Sequence, residues 1–351
     1  MQPITINDVR IGPGERPFII AELSGNHNQS LARALSIVDA AAAAGADALK
    51  LQTYTADTMT LDCDLPDFVV KGTGAAWQDR TLYELYDEAH TPWEWHREIF
   101  ARCHHHGIVP FSTPFDESAV SFLANLDMPL YKIASFEITD LALIKCIAQT
   151  GKPVIMSTGM ATADEISCAV DTLKNNGCEQ YVLLQCTSAY PAQLSDANLS
   201  TIPYLAKQYS CFSGLSDHTL GAIAPVCATA LGAHVIEKHF TLDRQDGGVD
   251  SHFSLEPDEF AHMVTQVKQA FASIGQVKHT PSQAELPCRN YRRSIYVCTD
   301  IQVGETITHE NVRIVRPGFG LSPEHIDDVI GRRVKQSISR GSALQWELLE
   351  P

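Results

Sequence analysis

The chain has 351 residues, 44% hydrophobic and 19% charged, a composition that describes a globular protein with room for one large domain and a small one. Its 42 acidic against 26 basic residues leave a net charge of −16 with histidine neutral, which argues against nucleic acid or an anionic membrane as partner. No apolar run reaches bilayer length, the N-terminus MQPITINDVRIGPGERP lacks the pattern of a secretory leader, and ten cysteines without a CxxC fit reduced core thiols in a cytoplasmic protein.

From Phe18 to about Gly275, strand-like runs alternate with amphipathic helical stretches. FIIAE (18–22) leads into a helix over 31–45 that Gly45 can end. ALKLQ (48–52) precedes a long polar stretch, after which Thr91-Pro92 is expected to open a helix, threonine capping and proline in the first turn. IVPFST (108–113), LYKIAS (130–135), PVIMST (153–158), YVLLQCTS (181–188), CFSGLSD (211–217) and HVIEKHF (234–240) are the remaining strands. Helical patterns follow them at 117–126, 140–150, 162–177, 196–208, 220–233 and 257–275. Eight such units predict an α/β fold, a (β/α)8 TIM barrel over 1–275. A doubly wound open sheet is the alternative, but no GxGxxG follows the first strand.

Residues 53–90 exceed an ordinary loop and read either as a lid over the barrel mouth or as a packed surface excursion. The triple histidine 104–106 closes a helix at the opposite end of the barrel, where positive charge suits the helix terminus. Residues 276–290, polar with two prolines, read as a linker. Short strands with glycine turns then predict a small β-rich domain over 291–351.

A barrel of this kind carries its site at the C-terminal ends of its strands. All eight ends are polar: Glu22; Lys50 and Gln52; Ser112 and Thr113; Lys132 and Ser135; Ser157 and Thr158; Thr187 and Ser188; Ser216, Asp217 and His218; Glu237, Lys238 and His239. Such convergence points to a binding mouth. His218 and His239 end neighbouring strands and are placed to share a divalent cation, with the Glu22 strand closing the barrel beside them. Either histidine alone would read as a core residue. Lys50, Lys132 and Lys238, with Ser135, Ser157 and Ser216, are the inventory for a phosphate or carboxylate, while a lone lysine could instead form a Schiff base. Period-two alternation puts Glu237 and His239 on one strand face and Lys238 on the other, so Lys238 reads as an ion-pair partner.

With these residues laid out, nine motifs in order resemble the sialic acid synthase family over essentially the whole length. They are IAELSGNHN (20–28), KLQTY (50–54), FSTPFD (111–116), YKIAS (131–135), STGMA (157–161), CTSAYP (186–191), LSDHT (215–219), IEKHFTLDR (236–244) and RPGFG (316–320). The resemblance implies a barrel followed by an antifreeze-like SAF domain, and the joining of phosphoenolpyruvate to an N-acylated amino sugar. It implies a divalent cation such as Mn2+ or Mg2+ on His218 and His239. Phosphoenolpyruvate contacts then fall on Lys50, Thr113, Lys132, Ser135, Ser157, Ser188 and Ser216, with Ser188 standing where neuraminate synthases commonly carry asparagine. Sugar contacts fall on Glu22, Gln52, Tyr190 and Asp250. Arg316 is implied to reach the barrel mouth of a second copy in a domain-swapped homodimer. Glu22, Lys132, His218 and His239 are the implied catalytic set, Glu22 either moving a proton or fixing the sugar.

Within the family, ELSGNHN (22–28), EAHTPWEWH (88–96), KIASFE (132–137), CTSAYPA (186–192) and GGVDSHFSLEP (247–257) resemble the pseudaminic acid branch more than the N-acetylneuraminate branch. The expected sugar is then 2,4-diacetamido-2,4,6-trideoxy-altrose. N-acetylneuraminate and legionaminate synthesis are the near alternatives; a Schiff-base aldolase and a non-catalytic sugar-binding paralogue are the distant ones.

Overall fold

The chain opens on a hairpin for which the sequence reading had no expectation: β1 (Ile4–Ile6) pairs antiparallel with β2 (Val9–Ile11). Ile4, Ile6 and Ile11 are buried against the main core. The computed structural model describes residues 1–71 and 77–351.

Eight strands follow: β3 (Phe18–Glu22), β4 (Ala48–Thr53), β5 (Val109–Pro114), β6 (Tyr131–Ile133), β7 (Val154–Ser157), β8 (Tyr181–Cys186), β9 (Phe212–Asp217) and β10 (Val235–His239). Gln52 aside, their residues are buried on both faces, as a parallel sheet under helices requires. They close into a parallel barrel, β10 returning to β3 with His239 opposite Glu22. Close approach makes Gly214 necessary in β9, since a Cβ there would lie 2.2 Å from the Val235 carbonyl.

Helices cover the barrel between strands: α1 (Leu31–Ala43), α2 (Ala56–Met59), α3 (Leu82–Ala89), α4 (His96–His106), α5 (Glu117–Ala124), α6 (Leu141–Ala148), α7 (Ala163–Asn175), α8 (Thr201–Tyr209), α9 (Ile223–Ala230) and α10 (Pro257–Ile274). Their starts are chemically specified. Ser30 accepts from the Arg33 N–H before α1, and Thr162 and Glu165 form a reciprocal capping box on α7, each satisfying backbone donors that the helix leaves free.

Thr91 is not the cap expected of it. A 3-10 turn over Trp93–Trp95 leads into α4, and Thr91 is buried with its hydroxyl 3.2 Å from His27 Nε2. A neighbouring buried imidazole has taken the hydroxyl that would have capped. The triple histidine does end α4; His106 Nε2 lies 2.7 Å from Asp39 Oδ1, which Arg102 also holds. The long stretch 53–90 contains α2 and α3 and is tied down by the Trp77 indole, which donates to the Val249 carbonyl at 3.0 Å. Residues 72–76 of the expected lid lie outside the described residues.

The chain divides into two units, Met1–Gly275 and Gln276–Pro351. The second has its own core, including Ile295, Val297, Ile301, Val312 and Leu344, around the antiparallel pair β11 (Ser294–Val297) and β12 (Val312–Val315). Part of the expected linker is ordered as a 3-10 helix, Leu286–Tyr291. Among the described residues no helix is long and apolar enough to cross a membrane.

Candidate active site

β10 alternates as its sequence suggests. Lys238 is fully buried behind the strand, donating to Asp217 Oδ2 at 2.5 Å and to the Thr219 carbonyl. Glu237 faces the other way, and its Oε1 accepts from Lys50 Nζ at 3.0 Å and from Ser216 at 3.2 Å, with Lys132 Nζ 3.6 Å away. Lys50 also sits 3.1 Å from Glu22 Oε2. Two lysines and two glutamates thus share one buried cluster, where each charge depends on the others for compensation.

Its electrostatics are uneven. Burial raises both carboxyls, but Lys132 and Lys50 overcome it for Glu237, whose carboxyl is held below the usual range. Glu22, further from Lys132 and repelled by Glu237, is pushed up despite Lys50. Burial lowers Lys132 to about 8 against the pull of Glu237, so near neutral pH the ammonium persists. It donates to Ser157 Oγ at 2.7 Å and to the Ile133 carbonyl at 3.2 Å, which aims the charge before any substrate arrives.

Hydroxyls surround that cation. Ser135, in the turn after β6, accepts from the Gly159 N–H at 3.1 Å. A Cβ on Gly159 would fall 2.3 Å from Ser188 Oγ and 2.8 Å from Ser135 Oγ. Both hydroxyls therefore approach the backbone here only because residue 159 has no side chain. Thr113, at the end of β5, is buried with its hydroxyl unpartnered. An anion arriving here would meet donors in place of water.

The two histidines meet at the other side of the mouth, ring centroids 5.3 Å apart. His218 Nδ1 lies 2.9 Å from the Thr187 carbonyl, so that nitrogen donates and Nε2 carries the free lone pair. His239 is buried, and its Nδ1 has no hydrogen-bond partner, standing 3.7 Å from Asp250 Oδ2. Burial and the neighbouring cations hold His239 well below the ordinary imidazole range, the neutral form that a metal requires. Tyr190 packs on His218 at 4.5 Å and Phe253 on His239 at 4.7 Å between centroids. Against burial, Cys186 and the Thr187 carbonyl shift His218 the other way, raising it; deprotonated together, the two imidazoles fit a divalent cation. Among the described residues no group of three or more His, Cys, Asp and Glu gathers with ligand spacing. Glu22, placed beside the pair by sequence, is turned to Lys50 and Gln52 instead, because a buried carboxylate is satisfied sooner by a lysine on the adjacent strand.

Gln52 donates to Glu22 Oε1 at 3.0 Å and to Ser24 Oγ at 3.2 Å, and Ser24 in turn donates to Asp250 Oδ2. Gln52 and Asp250 thus share Ser24, while Asp250 stands beside His239 and Tyr190 beside His218. Arg316 is exposed in the second unit, beside Pro317.

Glu237 was counted among the polar strand ends of the mouth but given no role of its own, although its alternation with His239 set it on the same face. Glu137 and Ser24 lie in turns just past strand ends, where no period marks them. Glu137 Oε2 is buried without a partner, and burial raises its carboxyl to about 7 against the attraction of Lys132.

A closed barrel whose mouth joins an anion cradle to a bare imidazole pair defines a TIM-barrel enzyme with an appended small β domain. The sequence profile of the NeuB family matches residues 37–279 and that of the SAF domain residues 292–350. The chain belongs to the NeuB family. It is 46% identical to a pseudaminic acid synthase of Campylobacter jejuni over 94% of this chain and 96% of that one. With an N,N'-diacetyllegionaminic acid synthase of Legionella pneumophila it shares 38% identity over 95% of this chain and 94% of the relative. The crystal structure of an N-acetylneuraminic acid synthetase from Leptospira borgpetersenii, in complex with citrate, superposes with a TM-score of 0.73 at 34% identity, covering 82% of this chain and 94% of that one.

Proposed function

We propose that the protein condenses phosphoenolpyruvate with 2,4-diacetamido-2,4,6-trideoxy-altrose, the pseudaminic acid synthase reaction. The observation that carries this reading is the meeting of two halves in one mouth: Lys132 with its hydroxyl cradle, and the His218–His239 pair with Gln52 and Asp250. Nearly full-length likeness to pseudaminic acid synthases supports the choice of sugar.

In this reading Lys132, Lys50, Ser135, Ser157, Ser188, Ser216 and Thr113 hold the phosphate and carboxylate of phosphoenolpyruvate. Gln52, Tyr190, Asp250 and Glu22 orient the open-chain sugar. His218 and His239 would hold a divalent cation such as Mn2+ or Mg2+, which when bound supplies Lewis-acid polarisation of the aldehyde oxygen. C3 of the enol phosphate bonds to the aldehyde carbon, and that oxygen takes a proton. Water adds at the C2 cation and loses a proton, for which Glu22 and Glu137, both raised by burial, are the acceptors within the mouth. The tetrahedral centre collapses by C–O cleavage, releasing phosphate and leaving a 2-keto acid. Most of the gain is positioning and fixed charge. Arg316 of the partner subunit completes the mouth in a domain-swapped homodimer, and the enzyme works in the cytoplasm.

Phosphoenolpyruvate carrying 18O in its bridging C–O–P position tests the reaction. The label should leave with phosphate; label kept in the keto group would mean P–O cleavage and would overturn the mechanism.

A further inference from the structure

Ser24 is buried, 3% exposed, and its backbone is left-handed at φ +49°, a conformation that side chains with a Cβ rarely adopt. Its hydroxyl, engaged on both sides by polar side chains, is the feature to explain. Its one hydrogen goes to Asp250 Oδ2, so it can only accept from Gln52 Nε2, 3.2 Å away. Gln52 gives its other amide hydrogen to Glu22 Oε1 at 3.0 Å, and Glu22 is paired with Lys50 at 3.1 Å. A directed chain therefore runs from the charged cluster through Gln52 and Ser24 to Asp250, whose carboxylate stands 3.7 Å from His239.

We infer that Ser24 is a positioning residue for the sugar: it fixes which way Gln52 and Asp250 face. With both amide hydrogens committed, Gln52 is left with its carbonyl oxygen to offer, an acceptor for a hydroxyl or N–H. Ser24 holds Oδ2, the oxygen that stands 3.7 Å from His239 Nδ1, which fixes the carboxylate beside the imidazole and leaves its other oxygen for the substrate. A polyhydroxylated sugar with acetamido groups is rich in such donors, whereas phosphoenolpyruvate has almost none. The left-handed backbone just past β3 places the hydroxyl between Gln52 of β4 and Asp250 of the loop after β10.

This inference rests on the functional reading above, and the test separates the two. Steady-state constants are measured for wild type, Ser24→Gly and Ser24→Ala with phosphoenolpyruvate and whichever amino sugar the wild type turns over best. Loss of one hydrogen bond to a charged group predicts a rise of roughly tenfold in the KM for sugar, with the KM for phosphoenolpyruvate unchanged within about twofold. Ser24→Gly relieves the left-handed backbone, so its Tm should not fall. An unchanged sugar KM in both variants, or equal rises for both substrates, overturns the assignment. A wild type inert with every sugar would sink the functional reading alone. Crystal structures of wild type and Ser24→Gly then decide: a displaced Asp250 carboxylate supports the positioning role, and an unmoved one ends it.

Discussion

Lys50 and Glu237, on strands separated by β3, meet at 3.0 Å between Nζ and Oε1 with each side chain only 5% exposed. Neither charge has water to fall back on. Glu237→Gln is therefore expected to lower unfolding free energy by about 3 kcal/mol, the range for orphaning one half of a buried pair. Lys50→Met added to it should cost less than the sum of the single changes, as denaturant titrations of all three variants would show. Strict additivity would mean that the two do not stabilise each other.

Two other buried lysines should separate by function. Lys132→Met removes the cation aimed into the mouth, so kcat/KM for phosphoenolpyruvate should fall by roughly a hundredfold or more. Lys238→Met instead strands Asp217 behind the strand, so thermal stability should drop while the KM values of the surviving folded enzyme stay near wild type. Kinetics that reverse this order would contradict the placement of Lys132 in the mouth and of Lys238 behind β10.

Glu137 supplies a pH signature. Its carboxyl is raised from 4.5 to about 7 by burial, so the stability it carries is present below about 4.5 and is lost as pH rises through about 7. Glu137→Gln should match wild-type stability near pH 4.5 and exceed it by on the order of 2 kcal/mol at pH 8. A difference independent of pH would contradict a raised carboxyl. If Glu137 takes a proton in the reaction, the acidic limb of kcat/KM near pH 7 should vanish in the same variant.

The imidazole pair predicts metal affinity without substrate. Titration calorimetry with Mn2+ should find one site per chain. His218→Ala and His239→Ala should each weaken it by about a hundredfold or more, as loss of one of two protein ligands implies. Wild-type affinity in either variant would remove that histidine from the site.

The barrel was legible because its strands are short buried runs between helices with chemical caps, and the mouth was legible because polar residues mark strand ends. Lys238 could be set apart from Glu237 by alternation alone. Ser24 and Glu137 could not be found that way: each sits in a turn, where direction is set by backbone angles and by neighbours distant in sequence. The same limit explains Thr91, whose hydroxyl was claimed by His27, and Glu22, which an adjacent lysine drew away from the histidines. The N-terminal hairpin was missed because its three-residue strands are too short to show a period.

The most direct measurement is kcat/KM with Mn2+ and phosphoenolpyruvate for three sugars under identical conditions: 2,4-diacetamido-2,4,6-trideoxy-altrose, its mannose-configured counterpart and N-acetylmannosamine. Phosphate release and product mass are read together, with chelator controls. The altrose sugar should be preferred by at least roughly a hundredfold, as expected when a site's buried polar groups are matched to one pattern of donors. Preference for either other sugar would contradict the choice of substrate, and release without chelator sensitivity would contradict the role of His218 and His239.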